Sequence, residues 1–110
     1  MTSGADLLQA HVRAFNDGVR SGEWEPMLVR FADGAELRFE NVPAGPFTGI
    51  GAIRDAYRDQ PPDDEIRLLG VQEPDEHTAV AAFAWLKGGT GRLVLEHEHG
   101  EITALTVIFD

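Results

Sequence analysis

Four places in this chain put side chains capable of chemistry at useful spacings. Glu96-His97-Glu98-His99 carries two imidazoles at i and i+2, which on a strand share one face and with a carboxylate could ligate a metal. No third spaced ligand accompanies them and the run ends at Gly100, so the competing reading is a solvated hairpin tip, and no metal is expected. Arg92 shares a strand face with Val94 and Glu96, so an inward Arg92 and Glu96 could bind an anionic or carbonyl group; otherwise that face is exposed or paired with a second subunit. His11 lies beside the apolar stripe of a helix, one turn before Phe15, where it could act as an acid or base in a pocket or stand as a partly exposed surface residue. Glu40 and Asn41 form the fourth place, a carboxylate next to an amide at the end of an alternating run.

The elements that must position these groups follow from periodicity. Leu8, Val12, Phe15 and Val19 repeat at helical spacing from Ser3 to Ser21-Gly22, which predicts one long amphipathic helix. Trp24, Met27, Leu28 and Phe31, with Pro26 in the first turn, predict a short second helix closed near Asp33-Gly34. From Glu36 the period becomes two, with Leu37, Phe39 and Asn41 on one face and Glu36, Arg38 and Glu40 on the other. Asn41 to Gly49 is rich in Pro and Gly and reads as a loop, after which Ile50, Ile53 and Tyr57 mark a third helix that ends at Gln60-Pro61-Pro62. Four strands in a meander, Ile66 to Val71, Thr78 to Lys87, Gly91 to His97 and Ile102 to Phe109, complete the chain. Helices followed by a run of strands argue for an α+β layer fold.

Composition narrows the function classes. At 110 residues and 43% hydrophobic content, one domain spanning residues 1–110 is expected. No apolar run is long enough to span a bilayer, and the first residues lack a basic, then apolar, leader, so a cytoplasmic protein is expected. The absence of cysteine removes disulfides and thiolate chemistry. A formal net charge of -10, with nine scattered Lys and Arg, makes nucleic acid and anionic membrane poor partners. Gly88-Gly89-Thr90-Gly91 lacks the Lys and following helix of a phosphate loop and reads as a turn, and no cofactor is expected.

Three strings in order, Phe31-Ala32-Asp33-Gly34-Ala35, Asn41-Val42-Pro43 through Gly49 to Ala52-Ile53-Arg54, and Gly100-Glu101-Ile102-Thr103 leading to Ile108-Phe109-Asp110, give the chain a resemblance to the nuclear transport factor 2-like superfamily. That superfamily includes ketosteroid isomerases, polyketide cyclases of the SnoaL type and limonene epoxide hydrolases. The resemblance covers nearly the whole chain and implies a cystatin-like cone, with three N-terminal helices packed in a curved antiparallel β-sheet. It implies a small apolar ligand or substrate in the open end, held by Phe15, Phe39, Asn41, Tyr57, Trp85, Val107 and Phe109. It also implies a homodimer through the outer sheet face, which agrees with apolar residues on both faces of Val80 to Trp85 and of Leu93 to Leu95.

The resemblance further suggests acid/base chemistry, without completing either known constellation. Alignment with the isomerases puts Glu40 at the base position, with Asn41 or Tyr57 to polarise a carbonyl, while their helix-one Tyr falls on Phe15 and their donor acid near Arg92. Alignment with the epoxide hydrolases puts Asn41 at the water-holding Asn and Phe39 at the Tyr, while their Asp-Arg-Asp group falls on Val107 and among Ala81 to Ala84. Strand period makes Asn41 the inward group, and Glu40 points inward only if a bulge interrupts the strand. Two functions therefore stay in view: an isomerase, cyclase or hydrolase, and a non-catalytic ligand-binding or dimerisation module.

Overall fold

The computed structural model describes residues 3–110. Helix α1 runs Gly4–Ser21, where the Ser3 hydroxyl accepts a hydrogen bond from the Asp6 N–H at 3.0 Å and Gly22, at φ 79°, closes the end on the Gly18 carbonyl. Its apolar stripe buries Leu8, Val12 and Phe15 against the sheet, and His11 is buried with them. Gly18 is a glycine for a packing reason: a Cβ there would stand 2.4 Å from the Trp24 ring.

Helix α2 is shorter than the spacing predicts, Glu25–Leu28, and the chain is already in a strand at Phe31. The apolar spacing through Phe31 belongs to two elements. Met27 and Leu28 pack as helix, whereas Phe31 enters strand β1, Phe31–Glu40, opposite Ile102. The hydrogen bond from the Ile102 N–H to the Arg30 carbonyl, 2.8 Å, fixes that entry. An irregularity in pairing separates Phe31 from Glu36, with Asp33 and Gly34 exposed within it.

Inside the predicted loop, Phe47–Thr48 forms a two-residue strand β2, antiparallel to Glu36 and Leu37 of β1. Helix α3, Ile50–Asp59, crosses back with Ile53 and Tyr57 buried. The meander follows as β3 Ile66–Asp75, β4 Thr78–Trp85, β5 Thr90–Glu98 and β6 Glu101–Phe109, all antiparallel to their chain neighbours.

The six strands make one curved sheet in the order β2-β1-β6-β5-β4-β3. Two features differ from the expected cone. Only α1 and α2 precede the first strand, because α3 is the crossover between β2 and β3. The sheet is mixed, because the crossover and meander bring β6 back alongside β1 in the same direction. The concave face, carrying Leu37, Phe83, Leu95 and Leu105, packs under the helices as the core.

Candidate functional site

Between the helices and the concave face lies a cavity of about 570 Å³, within the range of small-molecule sites. Its floor is fully buried and apolar, from Leu37 of β1, Phe83 of β4, Leu93 of β5 and Leu105 of β6. These residues face one way because strand period places every second side chain inward, and the registers stack them: Phe39 lies opposite Val107, and Leu93 opposite Val107 from the other side. Towards the mouth the wall becomes aromatic. Trp85 stacks on Phe109 with centroids 5.8 Å apart and planes 14° from parallel, and Phe39 packs beside Phe109 at 6.4 Å.

The mouth is built by three connections. The β1–β2 segment brings Val42, Ala44 and Phe47, the α3–β3 segment brings Gln60, Asp63 and Asp64, and the β4–β5 turn brings Lys87. Lys87 clasps the last two together: its N–H donates to the Asp64 carboxylate at 3.0 Å, and its ammonium donates to the Asp63 carbonyl at 3.1 Å. The accompanying Lys87–Asp63 ion pair is solvent-exposed at 3.6 Å, so it orients more than it stabilises.

Of the residues expected to line a pocket, the structure brings Phe15, Phe39, Tyr57, Trp85, Val107 and Phe109 to this cavity. It does not bring Glu40, Asn41 or Arg92. From Glu36 to Glu40 the pairing with β6 is regular, so the irregularity upstream leaves Glu40 on the outer face, exposed beside Arg38. Asn41 leaves the strand with φ 71°, so the period of two that would aim it inward ends one residue earlier. Its side-chain amide instead donates to the Phe109 carbonyl at 2.6 Å and ties the ends of β1 and β6 together. Arg92 is on the outer face opposite Ile108, with Asp110 at 3.9 Å, because Gly91 and Leu93 are the inward members of that strand.

Facing that floor from α1 and α3, the buried polar groups are His11 and Tyr57. Burial pushes the Tyr57 hydroxyl well above the usual phenol range, so it is a hydrogen-bond donor at any physiological pH. Its ring lies 4.9 Å from Trp24, which in turn packs on Phe15. His11 is 3% exposed, sits edge-on to the Phe31 ring at 5.7 Å, and its buried Nδ1 has no hydrogen-bond partner among the described residues. Burial, with help from the positive charge of Arg30, lowers its pKa to about 4, so the imidazole is neutral near pH 7. A neutral imidazole and a phenol can hold a polar atom of a bound molecule. No carboxylate lies on the floor; Asp63 and Asp64 stand only at the rim.

The histidines of the Glu96 to His99 run do not act together. His97 turns inward under the start of α1, where a Cβ on Gly4 would meet its Nε2 at 2.7 Å, while His99 forms the β5–β6 turn at φ 52°. Among the described residues no helix is long and apolar enough to cross a membrane.

No family model matches the chain, and no curated protein matches it in sequence. Solved structures match it closely in shape. An NTF2-like protein of unknown function from Cytophaga hutchinsonii superposes with a TM-score of 0.75 at 18% identity, covering 100% of this chain and 92% of that one. A protein proposed to be a ketosteroid isomerase, from Kribbella flavida, gives 0.71 at 16% identity over 96% and 78% of the two chains. TerC, co-crystallised with polyporic acid, gives 0.78 at 16% identity over 97% and 91%. The chain therefore has the nuclear transport factor 2-like fold that its sequence resembles.

Proposed function

We propose that the chain is a single small-molecule-binding domain of the SnoaL and ketosteroid isomerase-like kind, which holds a neutral, apolar, ring-shaped molecule in the cone. The observation that carries this reading is the cavity itself: about 570 Å³, aromatic towards the mouth, apolar at the floor, with one imidazole and one phenol inside. An ionised ligand would lose its hydration there without a countercharge on the floor, which disfavours anions and cations alike. The co-crystal of TerC with polyporic acid and the assignment of the Kribbella flavida relative are consistent with a ring-shaped occupant.

Of the two functions that sequence leaves in view, non-catalytic binding is the better supported. Proton transfer next to a carbonyl needs a base near the pH of operation, and Glu40, the residue aligned with that role, is outside the cavity. His11 is inside, but an imidazole whose conjugate acid has a pKa of about 4 is a weak base. Within the site Tyr57 then serves as donor and Phe15, Phe39, Trp85, Val107 and Phe109 as walls.

Calorimetric titration with 2-methylnaphthalene tests the reading. Saturable one-to-one binding is expected, and Val107→Trp, which fills the cavity from β6, is expected to abolish it while the circular dichroism spectrum stays native. Absence of saturation, or undiminished binding by the filled variant, would refute the cavity as the site.

The outer sheet face is proposed as the homodimer contact. Val80 lies opposite Val94 there and Ile108 stands diagonally from Val94, all three half-buried and flanked by the Arg38–Glu96 pair at 3.5 Å. A cytoplasmic location fits the lack of cysteine and of a membrane-crossing helix among the described residues.

A further inference from the structure

Among the described residues, His11 is the buried polar side chain left with an unpartnered nitrogen. It occupies the buried stripe of α1, where an apolar residue would complete the packing, yet its Nδ1 is enclosed without a hydrogen-bond partner among the described residues. Leaving a buried polar nitrogen unsatisfied is costly, because it has given up its hydration without a replacement. The ring is nevertheless part of the cavity lining, and a molecule in the cavity approaches it at Nε2, the nitrogen that is not enclosed.

We propose that His11 is the specificity-determining residue of the cavity, and that it selects ring-shaped ligands bearing an un-ionised hydroxyl, a phenol or an enol, at the end that enters first. The inference rests on the binding function proposed above. Three observations shape it. A neutral imidazole offers one N–H and one lone pair, and no protein contact at Nδ1 fixes which nitrogen carries the proton. A hydroxyl both donates and accepts, so it satisfies either tautomer, whereas a carbonyl or ether only accepts. The surrounding floor, Leu37, Phe83, Leu93 and Leu105, offers a polar end of the ligand no other partner on the sheet. A site with a buried polar group left over discriminates strongly against ligands that cannot pair with it.

The test compares 2-naphthol with 2-methylnaphthalene, similar in shape and differing in the hydroxyl. Apolar burial alone favours the methyl compound, because the hydroxyl must leave water. The wild-type protein is expected to prefer 2-naphthol by about ten-fold or more, and His11→Phe to reverse the order while still binding 2-methylnaphthalene. If both ligands weaken equally in His11→Phe, the residue only shapes the cavity and the inference is overturned. If wild type binds 2-methylnaphthalene as tightly as 2-naphthol, it is overturned as well, with the binding function intact. If wild type binds neither, the binding function fails too, a result distinct from the other two. Should His11→Phe not fold, imidazole nitrogen resonances of the wild type decide: those of His11 move on adding 2-naphthol and not on adding 2-methylnaphthalene. Resonances that respond alike to both ligands overturn the inference.

Discussion

At the residue scale the informative side chains are His11 and Glu40, because each occupies a place its type does not favour or its alignment does not predict. An imidazole without a partner is a net liability to the empty protein. His11→Phe, which keeps the edge contact with Phe31, is expected to stabilise the unliganded chain by about 1 kcal/mol in urea unfolding at pH 8. The gain depends on pH with a definite sign. The unfolded histidine takes up a proton near pH 6.5 and the folded one only near pH 4. Between those values the unfolded state binds more protons, so wild-type stability falls as pH falls. The advantage of His11→Phe over wild type is therefore expected to grow by about 3 kcal/mol between pH 7 and pH 4, and a constant difference would show that His11 is not held neutral. Glu40 makes the opposite case. Being exposed on the outer face, it is expected to tolerate Glu40→Gln with no change in ligand affinity, nor in any turnover of a β,γ-unsaturated ketone; a loss of either would bring Glu40 back into the site. His11 was visible in sequence as a residue next to an apolar stripe. Its depth was not, because whether such a position faces solvent depends on how far the sheet wraps round α1.

At the scale of elements, the periodic parts of the chain were legible and the junctions were not. The alternation of β4 and β6 marks Trp85, Val107 and Phe109 as inward, and stepping two residues along the same strands would have added Phe83 and Leu105, whereas Leu93 of β5 stood on the face opposite to the expected Arg92. The misreadings fall where period changes inside a continuous apolar pattern. Phe31 continues the spacing of α2 yet pairs with Ile102, and Asn41 continues the alternation of β1 yet turns left-handed. Rim residues Gln60, Asp63 and Asp64 come from a segment with no period, and Lys87 from the end of the predicted strand Thr78 to Lys87, which stops at Trp85, so only three-dimensional folding brings them together. Strand packing also explains Gly91. A Cβ there would stand 2.4 Å from the Ile108 carbonyl oxygen and 2.6 Å from the Phe83 ring. A backbone atom cannot give way cheaply, so Gly91→Ala is expected to lower unfolding stability by about 2 kcal/mol or more. An effect within experimental error would mean that β5 and β6 do not approach so closely.

For the whole molecule, the question is how an acidic chain with a two-faced apolar sheet is accommodated. The concave face is covered by the helices and the cavity, while the convex face carries Val80, Val94 and Ile108 among charged neighbours. Covering that face with a second copy would leave the cavity mouths free, because Lys87, Gln60 and Ala44 rim the end of the cone and are not on the convex face. Light scattering at micromolar concentration is expected to give twice the monomer mass of 12.0 kDa, and Val94→Arg to return it to the monomer value. A wild-type mass of one chain would remove the dimer while leaving the site unaffected.

The central claim is that the concave interior, not the outer face, receives the ligand, and a chemical-shift map recorded during titration with 2-naphthol tests it most directly. The predicted result is a connected set of shifts at Phe15, Phe39, Tyr57, Trp85 and Phe109, with Glu40, Arg92 and Val94 unmoved. Shifts centred on those outer-face residues, with the aromatic wall silent, would contradict it.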